Sequence, residues 1–208
     1  MLDIVKYFVW GKYGWHGNYS NWEEAKRDST GYDQKEILEK VKSSLLKVKN
    51  GEAVYERDSV LFDTIQYSWP LLAGLMFASA KCKGAVRVLD FGGSLGSTYY
   101  QNRRILDNIE EVSWNVVEQQ HFVDCGKEYF EDDRLHFYYD IDSCMNEQHP
   151  DILILSSVIQ YIERPYELLE KLLAYNFAFI LLDRTPFNSE NRDRIVVQKV
   201  LPIIYKAS

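Results

Sequence analysis

The sequence predicts an α/β protein built on a doubly wound, mostly parallel sheet, preceded by a helical N-terminal segment. Two observations carry that expectation. From about residue 84, short β-branched runs alternate five times with stretches of helical period, which is the pattern of βαβ units. The first of these runs ends in a cluster of glycines just before a helix opens, at the edge where an open α/β sheet holds its ligand. Composition is compatible with this. Across 208 residues, 46% are hydrophobic and 26% charged, enough apolar matter for a core and too much for global disorder.

Residues 1–32 interleave Tyr7, Phe8, Trp10, Tyr13, Trp15, Tyr19 and Trp22 with Gly11, Gly14 and Gly17, so loop and short turns are expected as far as Tyr19. Ser20 or Asn21 then caps a short helix with Glu23 and Glu24 in its first turn. Asp33 to Glu36 has capping-box spacing, and Ile37, Val41, Leu45 and Leu46 follow at helical intervals up to Asn50-Gly51. Asp58 or Ser59 is expected to cap a third helix reaching Ala80, kinked at Pro70 and buried along Leu61, Ile65, Trp69, Leu72 and Met76. Past Lys83-Gly84 come strands at 85–91, 113–118, 134–139, 151–155 and 177–182, with 194–200 as one more. Helices are expected at 97–109, 122–130, 141–146 and 164–174, the last with Leu168, Leu169, Leu172 and Leu173 inward. Residues 1–83 read as a cap on a core of residues 84–208.

Charge and cysteine usage narrow the function classes. Lys+Arg 24 against Asp+Glu 31 leaves −7, the wrong sign for gripping a nucleic-acid backbone. Residues 177–182, among the longest apolar runs, are far too short to span a bilayer, and no secretory leader pattern opens the chain. Cys82, Cys125 and Cys144 are odd in number and far apart, fitting neither a disulfide framework nor a metal site. A cytoplasmic protein with no metal is the expectation.

The turn DFGGSLG, residues 90–96, can be read three ways. A dinucleotide fingerprint needs glycines at offsets zero, two and five, and from Gly92 these positions hold Ser94 and Ser97. Gly92-Gly93-Ser94-Leu95-Gly96 also matches G-x-S-x-G, with Ser94 as a hydrolase nucleophile. Such a hydrolase needs an acid and then a histidine after the serine, and His121, His136 and His149 all precede the end of the fourth strand. The third reading fits best. Asp90, Gly92, Ser94 and Gly96 resemble the acid–glycine turn of class I S-adenosylmethionine (SAM)-dependent methyltransferases, with serine for the middle glycine.

That resemblance implies a cofactor site. Asp90 would lie near the cationic methionyl moiety, with Gly92, Gly93, Ser94 and Gly96 letting the backbone approach. Glu118 would hold the ribose hydroxyls with Gln119 beside it, and Asp140-Ile141 would flank the adenine. Ser156, at the end of the fourth strand, joins them. The stretch DILILSSVIQYIERPYELLEKL resembles the fourth-strand block of the same class. VLDFGGSLGSTYYQNR, WNVVEQ, LLDRTPF and, upstream, GYD, KVKNGEAVYERDSVLFD and QYSWPLLAG are similar to a family of bacterial methyltransferases associated with surface-polysaccharide loci. The resemblance implies a Rossmann-like methyltransferase core, SAM as cofactor and a small-molecule or glycan acceptor. The strand pair that ends such sheets is expected to be incomplete here, which leaves a SAM-binding scaffold without turnover as the alternative. An open edge would also allow pairing with another chain.

Catalytic candidates are fewer. Tyr161 follows the fourth strand, where the class faces the transferred methyl. Asp183 and Arg184 follow the fifth: Asp183 as a base, Arg184 as a fork for an anionic substrate group, or the two simply as a strand-end ion pair. His16 lies among the N-terminal aromatics, within reach of an acceptor if that segment covers the site.

Overall fold

The computed structural model describes residues 13–29, 35–187, 189 and 192–200. Tyr7, Phe8, Trp10, the GYD segment with the capping box begun at Asp33, and residues 201–208 lie outside them. In chain order the elements are β1 (Gly14–Tyr19), α1 (Trp22–Arg27), α2 (Lys35–Lys49), β2 (Tyr55–Arg57), β3 (Val60–Phe62), α3 (Trp69–Lys81), β4 (Val86–Phe91) and α4 (Ser97–Leu106). There follow β5 (Val112–Val117), α5 (Gln120–Tyr129), β6 (Leu135–Tyr138), α6 (Ile141–Gln148), β7 (Ile152–Ser156), α7 (Pro165–Leu173), β8 (Phe179–Asp183) and β9 (Ile195–Lys199). Contacts divide the chain into two units: Ser44–Arg57 with Leu61–Pro186, and Met1–Ser43 with Asp58–Val60 and Phe187–Ser208.

The larger unit is the expected α/β fold. Its five strands lie in the order β6-β5-β4-β7-β8, every pair parallel. Parallel strands need both faces covered, which is why they read as apolar runs: Val88, Leu89, Trp114, Val116, Ile152, Leu153, Ile154 and Leu155 are all fully buried. Successive side chains alternate between faces. On one face Leu89, Val117, Leu153 and Leu155 pack with Ile141 and Cys144 of α6 and Leu172 of α7. On the other, Trp114 meets Tyr99 of α4, Phe137 meets Gly126 of α5, and Leu181 and Phe179 meet Gly74 and Phe77 of α3. Register therefore fixes which helix each strand residue faces.

In the smaller unit β1 pairs antiparallel with β9, His16 opposite Val197. Asn21 caps α1 by accepting from the Glu24 amide at 3.0 Å, as expected. The loop expected through Tyr19 is instead strand β1. Its glycines lower local propensity, but a partner some 180 residues later supplies the ladder; the register slips between His16 and Tyr19, around Gly17 at φ +82. The strand expected at 194–200 is thus β9, paired with β1 rather than with the parallel sheet.

The helix expected from 58 to 80 is not formed as such. Asp58 and Ser59, at φ 52 and 63, turn β2 into β3, the pair of left-handed residues that a tight hairpin demands. The helix begins only at Trp69, with Pro70 in its first turn rather than as a kink, where the missing N–H costs nothing. Its buried face is Leu71, Leu72, Leu75, Ala78 and Ser79, whereas Trp69 is 67% exposed. Leu173 of α7 is likewise exposed, leaving Leu168, Leu169 and Leu172 inward.

Gly126 shows packing overriding propensity. A Cβ there would stand 2.4 Å from the Phe137 ring. In an open helix Gly→Ala stabilises by about 1 kcal/mol. Gly126→Ala is expected instead to destabilise by about 1–3 kcal/mol through overpacking, read as a lower urea midpoint at unchanged slope.

Candidate functional site

Parallel register sets the carboxyl ends of the strands along one edge. Asp90 lies opposite Val116 and Ile154, Val117 opposite Tyr138, and Ser156 opposite Asp183. Neighbouring connections leave β4 on opposite sides, toward β5 and toward β7, and the glycine turn fills that switch point.

The turn is built around a buried carboxylate. Asp90 is 1% exposed, and its Oδ2 accepts from Trp114 Nε1 at 3.0 Å. Burial pushes its pKa up to about 7; the Trp114 N–H and the Arg184 charge pull it down, and Glu118 pushes it up. A Cβ on Gly93 would stand 2.6 Å from the Asp90 carboxyl carbon, so only glycine lets the backbone fold over that carboxylate. Gly92, at φ +71, has Val158 where its own Cβ would go, 2.5 Å away. Gly96, at φ +89, caps α4, and its amide donates to the Gly93 carbonyl at 3.0 Å. Ser94 holds φ 56, a conformation that glycine adopts freely and that is strained for serine.

Glu118 follows β5, half-buried, with its carboxyl raised by burial and pulled back by the Gln119 amide, which donates to Oε2. Gln119 is exposed and caps α5. Asp140 caps α6: its Oδ1 accepts from the Ser143 amide at 2.8 Å and its Oδ2 from the Ser143 hydroxyl at 2.9 Å, and these bonds hold its pKa below the usual aspartate value. Ile141 is buried in the core behind it. Five strand ends thus carry the predicted acids Asp90, Glu118, Asp140 and Asp183, with Ser156, on one edge.

Asp183 is a held group. Its Oδ1 accepts from Ser68 Oγ at 2.9 Å and its Oδ2 from Ser156 Oγ at 3.1 Å, with Arg184 Nε 3.5 Å from Oδ2. Arg184, at φ 48, donates to Ser156 Oγ from Nε at 3.3 Å and Nη2 at 3.1 Å. Tyr161, 43% exposed, closes a single 3₁₀ turn (Ile159–Tyr161) after β7. His16 belongs to β1 of the smaller unit, its Nε2 buried without a partner. The later histidines are spread over α5 (His121), β6 (His136) and the end of α6 (His149). Among the described residues none hydrogen-bonds Ser94.

Several residues at this edge carried no sequence signal. Trp114 reads as an ordinary strand aromatic, yet it is the donor to Asp90. Ser68 has the look of a helix cap, but its hydroxyl goes to Asp183 and makes no capping bond. Glu56, 2% exposed, accepts from Ser97 Oγ at 3.2 Å at the start of α4. Nearby, Arg57, Gln66, Tyr67, Ser68, Gln101 and Arg184 line a cavity of about 310 Å³. Among the described residues no group of His, Cys, Asp and Glu is arranged to hold a metal ion, and no helix is long and apolar enough to cross a membrane.

No family model matches the chain, and no curated protein does. Two solved structures share part of its shape. A chain from a co-crystal structure of WbdD and the kinase inhibitor LY294002 is 16% identical over 60% of this chain, at a TM-score of 0.41. This chain spans about a third of that one, 32%. A chain from the Pnkp1/Rnl/Hen1 RNA repair complex is 18% identical over 56% of this chain and 28% of its own, at a TM-score of 0.36. The fold assignment rests on strand order and register, not on these two.

Proposed function

We propose that the chain is a SAM-dependent methyltransferase acting on a small-molecule or glycan-type acceptor. The observation that carries this is the Asp90 turn: a buried acid, a backbone folded onto it where no Cβ fits, and a second half-buried acid, Glu118, at the end of the adjacent strand. The residues present suit the cofactor's two ends. A carboxylate raised by burial gains most from a cation, which matches a methionyl ammonium or sulfonium at Asp90. Glu118 keeps one carboxylate oxygen clear of the Gln119 amide, which suits a ribose diol. When bound, SAM supplies a methyl group on a positively charged sulfur. Methyl transfer is a displacement in line, so this chain's task is to align the acceptor and keep water out. Tyr161 is the exposed side chain at the adjoining edge. Asp183 engages Ser68, Ser156 and Arg184 at once, so it suits the role of fixing Arg184 better than that of a base.

That engagement favours a second reading, a SAM-binding partner protein without turnover. Methyl transfer to a polysaccharide-type extract, measured alongside cofactor affinity, separates the two. Serine hydrolysis would require a histidine at Ser94, and a fluorophosphonate is expected to leave Ser94 unlabelled.

Two outcomes are expected for the cofactor. S-adenosylhomocysteine should bind with micromolar affinity by calorimetry, and Asp90→Ala and Glu118→Ala should each weaken it by more than about 1.4 kcal/mol, tenfold. A folded wild type that does not bind overturns the proposal. The second concerns pH. Because the folded pKa of Asp90 lies above its ordinary value of 3.8, its contribution to stability is complete below that value and lost as pH rises through about 7. A cationic ligand prefers the ionised form, so its affinity should rise about tenfold between about pH 6 and 8. Asp90→Asn should flatten that rise; a slope kept by the variant assigns it to another group.

A further inference from the structure

The cavity lined by Arg57 and Arg184 has a sign that the chain as a whole does not. Net charge is −7, yet two of its six lining residues are arginines and none is acidic. Arg57 is half-buried with its guanidinium over the Phe62 ring, 5.5 Å from the centroid, and among the described residues no carboxylate pairs with it. A guanidinium that is partly desolvated and has no counter-ion is costly unless an anion arrives. Arg184 has Asp183 at 3.5 Å, but that carboxylate is already shared by Ser68 and Ser156, and part of the fork remains to donate. Two other lining groups are held in place with their hydrogens already spent, so the donors for an anion must come from the guanidinia. Gln101 is fixed by bonds from its Nε2 to Tyr55 Oη at 3.0 Å and to the Gln66 carbonyl, and Ser68 by Asp183. At about 310 Å³ the space is at the small end of ligand pockets and has room for an oxyanion.

We propose that this cavity binds an oxyanion, a carboxylate or a phosphate, carried by the methyl acceptor, with Arg57 and Arg184 as its two forks. The proposal rests on the methyltransferase reading for the word acceptor, and on this chain's own residues for the anion. It makes Arg57 a substrate-binding residue beside the Arg184 expected from sequence, and makes the acceptor acidic rather than a neutral sugar.

Amide NMR of the whole chain, titrated with inorganic phosphate and in parallel with acetate at constant ionic strength, tests it. Saturable shifts at Tyr67, Ser68 and Gln101 are expected at millimolar concentration for at least one anion, and the tighter of the two names the group. Arg57→Gln should weaken that binding at least fivefold while S-adenosylhomocysteine affinity stays within twofold. Arg57→Lys, which keeps the charge and loses the fork, should fall between and serves if the glutamine variant does not fold. Shifts that do not saturate by about 50 mM, or that Arg57→Gln leaves unchanged, overturn the proposal. So does a tenfold loss of S-adenosylhomocysteine affinity in a folded Arg57 variant, because the cavity would then belong to the cofactor. Anion binding by a wild type that ignores S-adenosylhomocysteine leaves the oxyanion site standing and removes the methyltransferase reading instead.

Discussion

A carboxylate withdrawn from water on the central strand of a parallel sheet costs several kcal/mol unless hydrogen bonds and charge replace what solvent gave it. Asp90 is in that position, and much of the surrounding architecture answers to it. Trp114 must sit on the neighbouring strand, in a register that aims its indole N–H at the acid. The ring must then be covered, and Tyr99 on the first turn of α4 covers it. That brings the helix start close above the strand end, so the connecting backbone passes over the carboxylate within the space of a methyl group, and position 93 admits only glycine. Strand, turn and helix are locked around one buried carboxyl group.

The same edge shows why parallel register matters beyond stability. Ser156 and Asp183 face each other across β7 and β8, so the hydroxyl bonds the carboxylate directly, and Arg184 closes over both. Slipping the pairing by one residue would turn these side chains to the opposite face and leave Asp90 without its donor. Energy stored in core packing thereby fixes the position of polar groups that pack against little themselves.

Much of this was legible because buried parallel strands are apolar on both faces and announce themselves as runs; β4 to β8 fall within two residues of where the runs lie. Glycines 92, 93 and 96 were legible for the same reason that they are needed. The hairpin of residues 55–62 was not. Its turn uses Asp58 and Ser59 in left-handed conformation, with no glycine to mark it, and an aspartate–serine pair ahead of apolar residues also looks like a helix cap. The pairing of β1 with β9 was hidden by distance along the chain, since local pattern carries no information about a partner so remote. Ser68 carried no signal of its role: it stands at the cap position of α3, while its hydroxyl serves Asp183.

Left-handed backbone separates the two ends of the sheet. Lys83, His149 and Asn176 adopt positive φ just past α3, α6 and α7, where a left-handed residue is a common way to stop a helix and turn toward the next strand. Ser94, Ser157 and Arg184 adopt it at the other end, each shortly after a strand rather than a helix, and each in a residue type that gains little from it. A non-glycine residue held there costs on the order of 1–2 kcal/mol. The fold sustains three such residues within the edge that also holds Asp90, Glu118 and Asp183, and at Ser68 it forgoes a helix-capping bond as well. Strain retained in this way marks places where side-chain direction matters more than local stability. Here it aims the Arg184 guanidinium at Ser156, carries the chain on from the glycine that lies against the buried acid, and leaves the amino end of the sheet to ordinary helix stops.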